Sequence, residues 1–421
     1  MIISDKFPKY QEYDPLVPVW CVTPNEGRCI HRFFDTSPFS PSQRYMAVLR
    51  LPQETRLPDP GEKAQVVLID LHEGTENIIA ETIGWEPQMG ANINWGATDY
   101  ELYFNDVDPV TWEPFCTKLN PITGEKKRLS GTVYRISPDG KNIISACMKR
   151  MRRTQYGYGV VVPDEYVPRN FGFCTDDGLY ITDTNTGECR IIVSISEIAE
   201  KTGIDKEKYK NIECYGFHCK YNPQGDRIMF SMRGFEKTEH EPWDMLFSSN
   251  MHYWIITLKP DGSDIHIAVG PEEWYKGGHH TTWQPDGKRL SMNLAVDGNG
   301  RLYFMQVDYN GENYQKIHDT LIGSGHPTLH PNGRHILTDT YEQERVAFGD
   351  GTVPLRFIDI KTGEEKTAVR INIRTPAAEK VTALRVDPHP AWSPDYRYAA
   401  FNGFVNGTRR VFIADFKDLL E

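Results

Sequence analysis

No stretch of the 421 residues approaches about 18 consecutive apolar side chains, and no basic-then-apolar leader follows Met1. The sequence therefore offers neither a helical membrane span nor a secretion signal, and the expected setting is the cytoplasm, with no membrane partner. Cysteine is sparse. The eight thiols, Cys21, Cys29, Cys116, Cys147, Cys174, Cys189, Cys214 and Cys219, are scattered along a long chain, which speaks against a disulfide framework. Only Cys214 and Cys219, flanking His218, have a spacing that suits zinc. Positive charge is also short. A net charge of −11 argues against nucleic acid as the partner, because phosphates need a basic face.

What the chain has in quantity is repetition. The segments SPFSPSQRYMAVL, ANINWGATDYELYF, VYRISPDGKNIISA, HCKYNPQGDRIMFS, HTTWQPDGKRLSMN, HPTLHPNGRHILTD and HPAWSPDYRYAAFN align on Pro41, Ala97, Pro138, Pro223, Pro285, Pro331 and Pro394. A second strand-like run follows each, such as VVLIDLHEG or LYFMQVDYNGE. Alternating β-branched and aromatic residues bounded by Pro-Asp-Gly or Thr-Gly-Glu turns signal hairpins, and their recurrence every few tens of residues signals a radial array. This predicts an all-β, seven-bladed β-propeller in one domain, with blades at about 30–82, 88–130, 131–195, 212–270, 275–318, 322–370 and 381–421. The last copy stops one strand short, whereas Val17 to Thr23 form a strand without a blade. Pairing these two closes the ring and removes two exposed sheet edges.

In four successive copies a histidine sits five residues before the proline: His218, His280, His326 and His389. With 13 histidines in 421 residues, chance would fill about 0.2 of the equivalent slots. Strand direction alternates within a blade, so these residues are expected at the axial opening of one face, together with the ends of the second strands. Asn92 holds the same slot in blade two, and with Gln88 it is expected to line the same opening and bind substrate there. A structural reading stands beside this one, because Gly278-His279 and Gly325-His326 are the kind of pair that orients blades in WD-type propellers.

Two long insertions leave from the same face, at about 148–177 and 232–252, the second running through His240 and Trp243. Long loops in compact domains are commonly functional. The first carries Lys149, Arg150, Arg152 and Arg153, followed by Tyr156 and Tyr158. The cations, Arg150 and Arg153 among them, suit an anionic ligand or else a solvated loop, and the tyrosines suit stacking on a ligand ring.

Asp387-Pro388-His389 places two candidate ligands on one side of an extended strand, and with His326 they form a candidate site for a divalent metal. Such a metal would polarise a substrate carboxylate while His280 or Tyr215 removes the adjacent carbon-bound proton and arginine neutralises the developing charge. That is β-elimination from a uronic acid.

HPTLHPNG, GHHTTWQPDG and DPHPAWSPDYRYAAFNG resemble the matching blades of oligogalacturonate lyases, and the layout is similar to ulvan lyases. The resemblance implies a propeller lyase acting on an anionic uronate-containing oligosaccharide. It implies His280 as base and His326 and His389 as manganese ligands, with calcium or zinc as alternative metals. The ligand motif Gln-x-x-His-x-His of that family reads Leu384 to His389 here, with Asp387 in place of a histidine. The family's arginine before a Met-Trp pair falls on His252, which leaves Arg233 as the neutralising cation; an ulvan-lyase-like arrangement would pair Tyr215 with Arg233, and His218 is expected to contact substrate. The alternatives are a non-catalytic propeller that presents the histidine face to a protein or glycan, and a hydrolase, for which the repeat register supplies only Asp387 and Asp35 as paired carboxylates.

Overall fold

The computed structural model describes residues 2–236 and 251–421. They form seven four-stranded sheets. The first contains Cys29–Ile30, Tyr45–Arg50, Ala64–Asp70 and Thr75–Thr82. The last contains Ala391–Trp392, Tyr398–Val405 and Thr408–Asp415, and takes Val19–Cys21 as its fourth strand. That strand pairs antiparallel in the register Val19↔Ala414, Trp20↔Ile413 and Cys21↔Phe412. The protein is thus an all-β, seven-bladed β-propeller in which an N-terminal strand completes the C-terminal blade.

Packing divides the chain into two compact units, one of Met1–Phe104, Lys118–Lys126 and Ser324–Glu421, the other of Asn105–Thr117 and Lys127–Gly323. The third strand of blade six, Thr352–Asp359, is buried along its whole length. Its Val353, Leu355 and Phe357 join Ile371, Phe401, Phe412 and the closing residues Val19 and Cys21 in the first unit's core. In the second unit Met229, Ile255, Leu290, Met292, Leu294, Met305 and Val307 play the same part. Alternation along each strand supplies these residues, one face per blade interface.

First strands fall into two kinds, and the difference positions the candidate site. Most are two residues long, as in Thr328–Leu329 and Ala391–Trp392. Blades four and five instead have long first strands, Ile212–Tyr221 and Gly278–Trp283, each interrupted by a bulge: between Gly216 and Cys219 in one, between His279 and Thr282 in the other. His218 and His280 lie inside those bulges. A bulge breaks the two-residue alternation and re-aims a side chain.

The insertion near 148–177 contains a short helix, Met148–Met151, and a 3-10 turn, Asp164–Tyr166. Most of the second insertion, including His240 and Trp243, lies outside the described residues. Among the described residues no helix is long and apolar enough to cross a membrane.

Val19 is 1% exposed and packs in the first unit's apolar core, so Val19→Asp would bury a carboxylate there. We expect a loss of about 3–5 kcal/mol, read as a lower urea midpoint at constant slope. Ile78→Asp, at a position 52% exposed, should move the midpoint by less than about 0.5 kcal/mol.

Candidate active site

In the first unit, His326 follows Gly325, whose φ is +61° and whose missing Cβ would lie 2.1 Å from the Asp339 carbonyl oxygen. Only glycine permits that approach. The backbone N–H of His326 donates to Asp339 Oδ1 at 2.7 Å, and its Nδ1 lies 2.8 and 3.0 Å from the two carboxylate oxygens. Oδ2 of the same carboxylate accepts the His389 backbone N–H at 2.9 Å. One buried acid, just past the strand His335–Thr338, therefore holds histidines from two blades. By binding Nδ1–H it also fixes His326 in the tautomer whose lone pair is on Nε2.

The rings of His326 and His389 stand perpendicular with centroids 4.2 Å apart. With Asp387 they offer donor atoms that all lie within 4.8 Å of one another, and all three residues are buried. The extended Asp-x-His pair expected from the sequence is not how this comes about. Residues 385–390 form no strand, and His389 has φ +49°. A left-handed non-glycine residue costs about 1–2 kcal/mol, which the contact with Asp339 helps to offset.

Two imidazoles and one carboxylate are a donor set that fits a divalent cation of the manganese or zinc type. Phe33 packs 4.7 Å from His389 and Phe34 packs 5.3 Å from His326, so the group has an apolar wall. His31 approaches the Pro388 carbonyl at 3.4 Å, and burial pushes it down to about 4, which keeps the ring neutral. Arg385 Nε lies 2.9 Å from Asp387 Oδ2. A cavity of about 370 Å³, bordered by Asp387, Arg385, Tyr341, Arg374 and Thr375, adjoins the group.

Gln88 and Asn92, expected to line the opening and bind substrate, are buried against protein. Gln88 Nε2 donates to the carbonyls of Ala383 at 2.7 Å and Arg385 at 3.3 Å, bracing the segment that leads to Asp387. Asn92 has φ +51° and accepts a hydrogen bond from Arg32 Nε at 3.1 Å.

In the second unit, Arg233 lies with its guanidinium carbon 3.6 Å from the Phe217 ring centroid and 5.0 Å from that of Tyr253. Its Nη1 donates to Gln155 Oε1 at 2.8 Å. Among the described residues no carboxylate pairs with it, and burial holds it below the usual arginine range. His218 sits in the same cluster, its ring 3.9 Å from Phe217 and 6.2 Å from Tyr158, with Nδ1 in contact with the Tyr134 hydroxyl. Tyr158 is itself only 5% exposed and packs on Phe217. His280, at φ +62°, has Nδ1 2.7 Å from Nδ1 of His279.

Tyr215 and the basic run also behave differently from expectation. Tyr215 is fully buried, its hydroxyl donates to Glu213 and accepts the Asn170 N–H at 3.2 Å, and burial raises it far above the usual phenol range. A phenol so placed is a poor proton acceptor. Arg150 pairs with Asp176 at 2.8 Å and Asp177 at 3.6 Å. Arg153 donates to the carbonyls of Val167 and Pro168. Lys149 and Arg152 are likewise paired, with Glu113 and Asp164. The basic run is thus a set of internal ties that shape the insertion rather than an open anion seat.

Asp339, His31, Phe33, Phe34, Tyr134 and Asn293 lie outside the histidine slots and were not singled out from sequence. The Asp339 signal was available in part, since Thr338-Asp339-Thr340 ends a second strand, where the repeat register turns residues toward the slots.

No family model matches the chain, and no curated protein matches it in sequence. Solved structures do resemble it. An oligogalacturonate lyase in complex with manganese is similar at TM-score 0.61 and 15% identity, over 99% of this chain and 96% of that one. An oligogalacturonate lyase from Vibrio parahaemolyticus is similar at TM-score 0.64 and 14% identity, over 100% and 99%. The tricorn protease is less similar, at TM-score 0.48 and 12% identity over 92% of this chain and 34% of that one. At these identities the likeness is one of fold alone.

Proposed function

We propose that the protein is a lyase that cleaves uronate-containing oligosaccharides by β-elimination, assisted by a divalent cation held by His326, Asp387 and His389. The observation that carries this reading is the buried donor group with its orienting carboxylate, because Asp339 would have little reason to fix one histidine's tautomer and a second histidine's backbone for packing alone. The manganese complex of a similarly folded oligogalacturonate lyase supports the choice of chemistry. A bound cation supplies Lewis-acid withdrawal of charge from a uronate carboxylate, which acidifies the neighbouring C–H.

We assign the remaining roles to side chains suited to them. His280 accepts the proton from C5 as the C5–H bond breaks; the electron pair forms the C4=C5 double bond, and the C4–O bond breaks to release the leaving sugar. The leaving oxygen takes a proton from the imidazolium or from water, so the products are an unsaturated uronate and a new saturated end. Arg233, which no carboxylate pairs among the described residues, is suited to the carboxylate as negative charge builds on it. His218 beside it is suited to a polar contact with the sugar, and Tyr158, packed on Phe217, braces that cluster.

Incubation with a panel of uronate oligosaccharides should yield a conjugated, ultraviolet-absorbing product. His280→Ala should lower kcat by about 10²–10⁴-fold, and Arg233→Gln should lower kcat/KM by at least about tenfold. Saturated products alone would favour a hydrolase, and no product with any substrate would favour a binding module. Elemental analysis should find one divalent metal per chain after loading, absent in His389→Ala. In Asp339→Asn the metal affinity should fall about 10–100-fold, and unchanged affinity in both variants would remove the cation from this site.

A further inference from the structure

We propose that His279 and Asn293 are positioning residues that fix the tautomer of His280, leaving its basic lone pair on Nε2. The proposal rests on the assignment of His280 as the base and names what makes it one. Asn293 belongs to the strand Arg289–Ala295, is fully buried, and is the register partner of His279 across the blade-five hairpin. Its Nδ2 lies 3.2 Å from Nδ1 of His279. An amide nitrogen has protons and no available lone pair, so it donates, and Nδ1 of His279 must accept.

The 2.7 Å contact between Nδ1 of His279 and Nδ1 of His280 then has only one consistent polarity. Since the first atom is an acceptor, His280 Nδ1–H is the donor. A neutral imidazole carries one proton, so the lone pair of His280 is at Nε2 and the proton of His279 is at its own Nε2. The bulge between His279 and Thr282 and the left-handed backbone of His280 let two successive imidazoles face each other in this way, which a regular strand forbids. When Nε2 of His280 takes up a proton, the ring becomes an imidazolium and its Nδ1–H bond to His279 becomes charge-assisted. The pair therefore stabilises the protonated base after proton transfer as well as orienting it beforehand.

Asn293→Asp tests the polarity directly. A carboxylate only accepts, so Nδ1 of His279 would have to carry the proton and donate, and the His280 proton would move to Nε2, where it blocks the base. In the full-length protein labelled with 15N histidine and assigned through His279→Ala and His280→Ala, His280 should show a protonated Nδ1 and an unprotonated Nε2. Asn293→Asp should exchange these signatures and lower kcat by about 10²-fold with KM within twofold, whereas Asn293→Gln should restore part of the activity. An Nε2-protonated His280 in the parent protein overturns the proposal whatever the activity. So does an unaltered kcat in Asn293→Asp where His280→Ala is inactive. Full activity in His280→Ala would instead overturn the base assignment itself, and the NMR signatures would still report the tautomer.

Discussion

Charge buried without a partner costs several kcal/mol, and that constraint decides which polar residues of this propeller hold the fold and which remain for a ligand. Lys149, Arg150, Arg152 and Arg153 each find an acid or a carbonyl within the protein. Glu213, fully buried, is answered by Arg169 and by the Tyr215 hydroxyl. Asp339 is answered by two backbone N–H groups and an imidazole. Arg233 stands apart, because among the described residues it meets aromatic faces and one amide oxygen and no carboxylate. Aromatic contacts of this kind contribute about 0.5–2 kcal/mol, less than the desolvation they accompany.

Regular ladders and irregular slots divide the labour within each blade. Strand pairs such as Thr352–Asp359 with Glu365–Asn372 hold the architecture, while the slots depart from strand geometry. Asn92, His280 and His389 share a left-handed backbone, at φ +51°, +62° and +49°, and Gly325 has +61° immediately before His326. The recurrence at one repeat position ties the conformation to the place in the blade rather than to the residue type. Glycine or asparagine would adopt it at less cost, so a histidine there carries strain for the sake of its side chain.

This division explains what the sequence disclosed. The blades were legible because the β-branched alternation and the Pro-Asp-Gly turns recur with the ladders, and the closing strand was legible because the last copy lacked one. His326, Asp387 and His389 were legible as a group because the register carries equivalent positions to equivalent places, although a left-handed turn, not an extended strand, brings the last two together. Other features were hidden for definite reasons. Acids paired with the basic run include Glu113, dozens of residues away, so the run looked open. Bulges shift the alternation phase without a sequence mark, which concealed that Tyr215 is buried and that His279 faces His280. Asp339 was overlooked because it acts through hydrogen bonds to histidines and not as a ligand.

Asp387 also sets the charge balance of the donor group. Two neutral imidazoles and one carboxylate would leave a divalent cation with one net positive charge, whereas histidine in place of Asp387 would leave two. The carboxylate strengthens cation binding and favours harder, oxygen-preferring metals, but it weakens the residual pull on an anionic substrate. In a chain of net charge −11 that pull has to be local. Arg385, 2.9 Å from Asp387, returns part of the lost positive charge to the first unit. In the second unit Arg233 is a cation that no carboxylate pairs among the described residues. On the proposed reading, selectivity for an anionic sugar would rest on local cations in an acidic protein, and attraction at partly buried groups is screened less by salt than attraction spread over a surface.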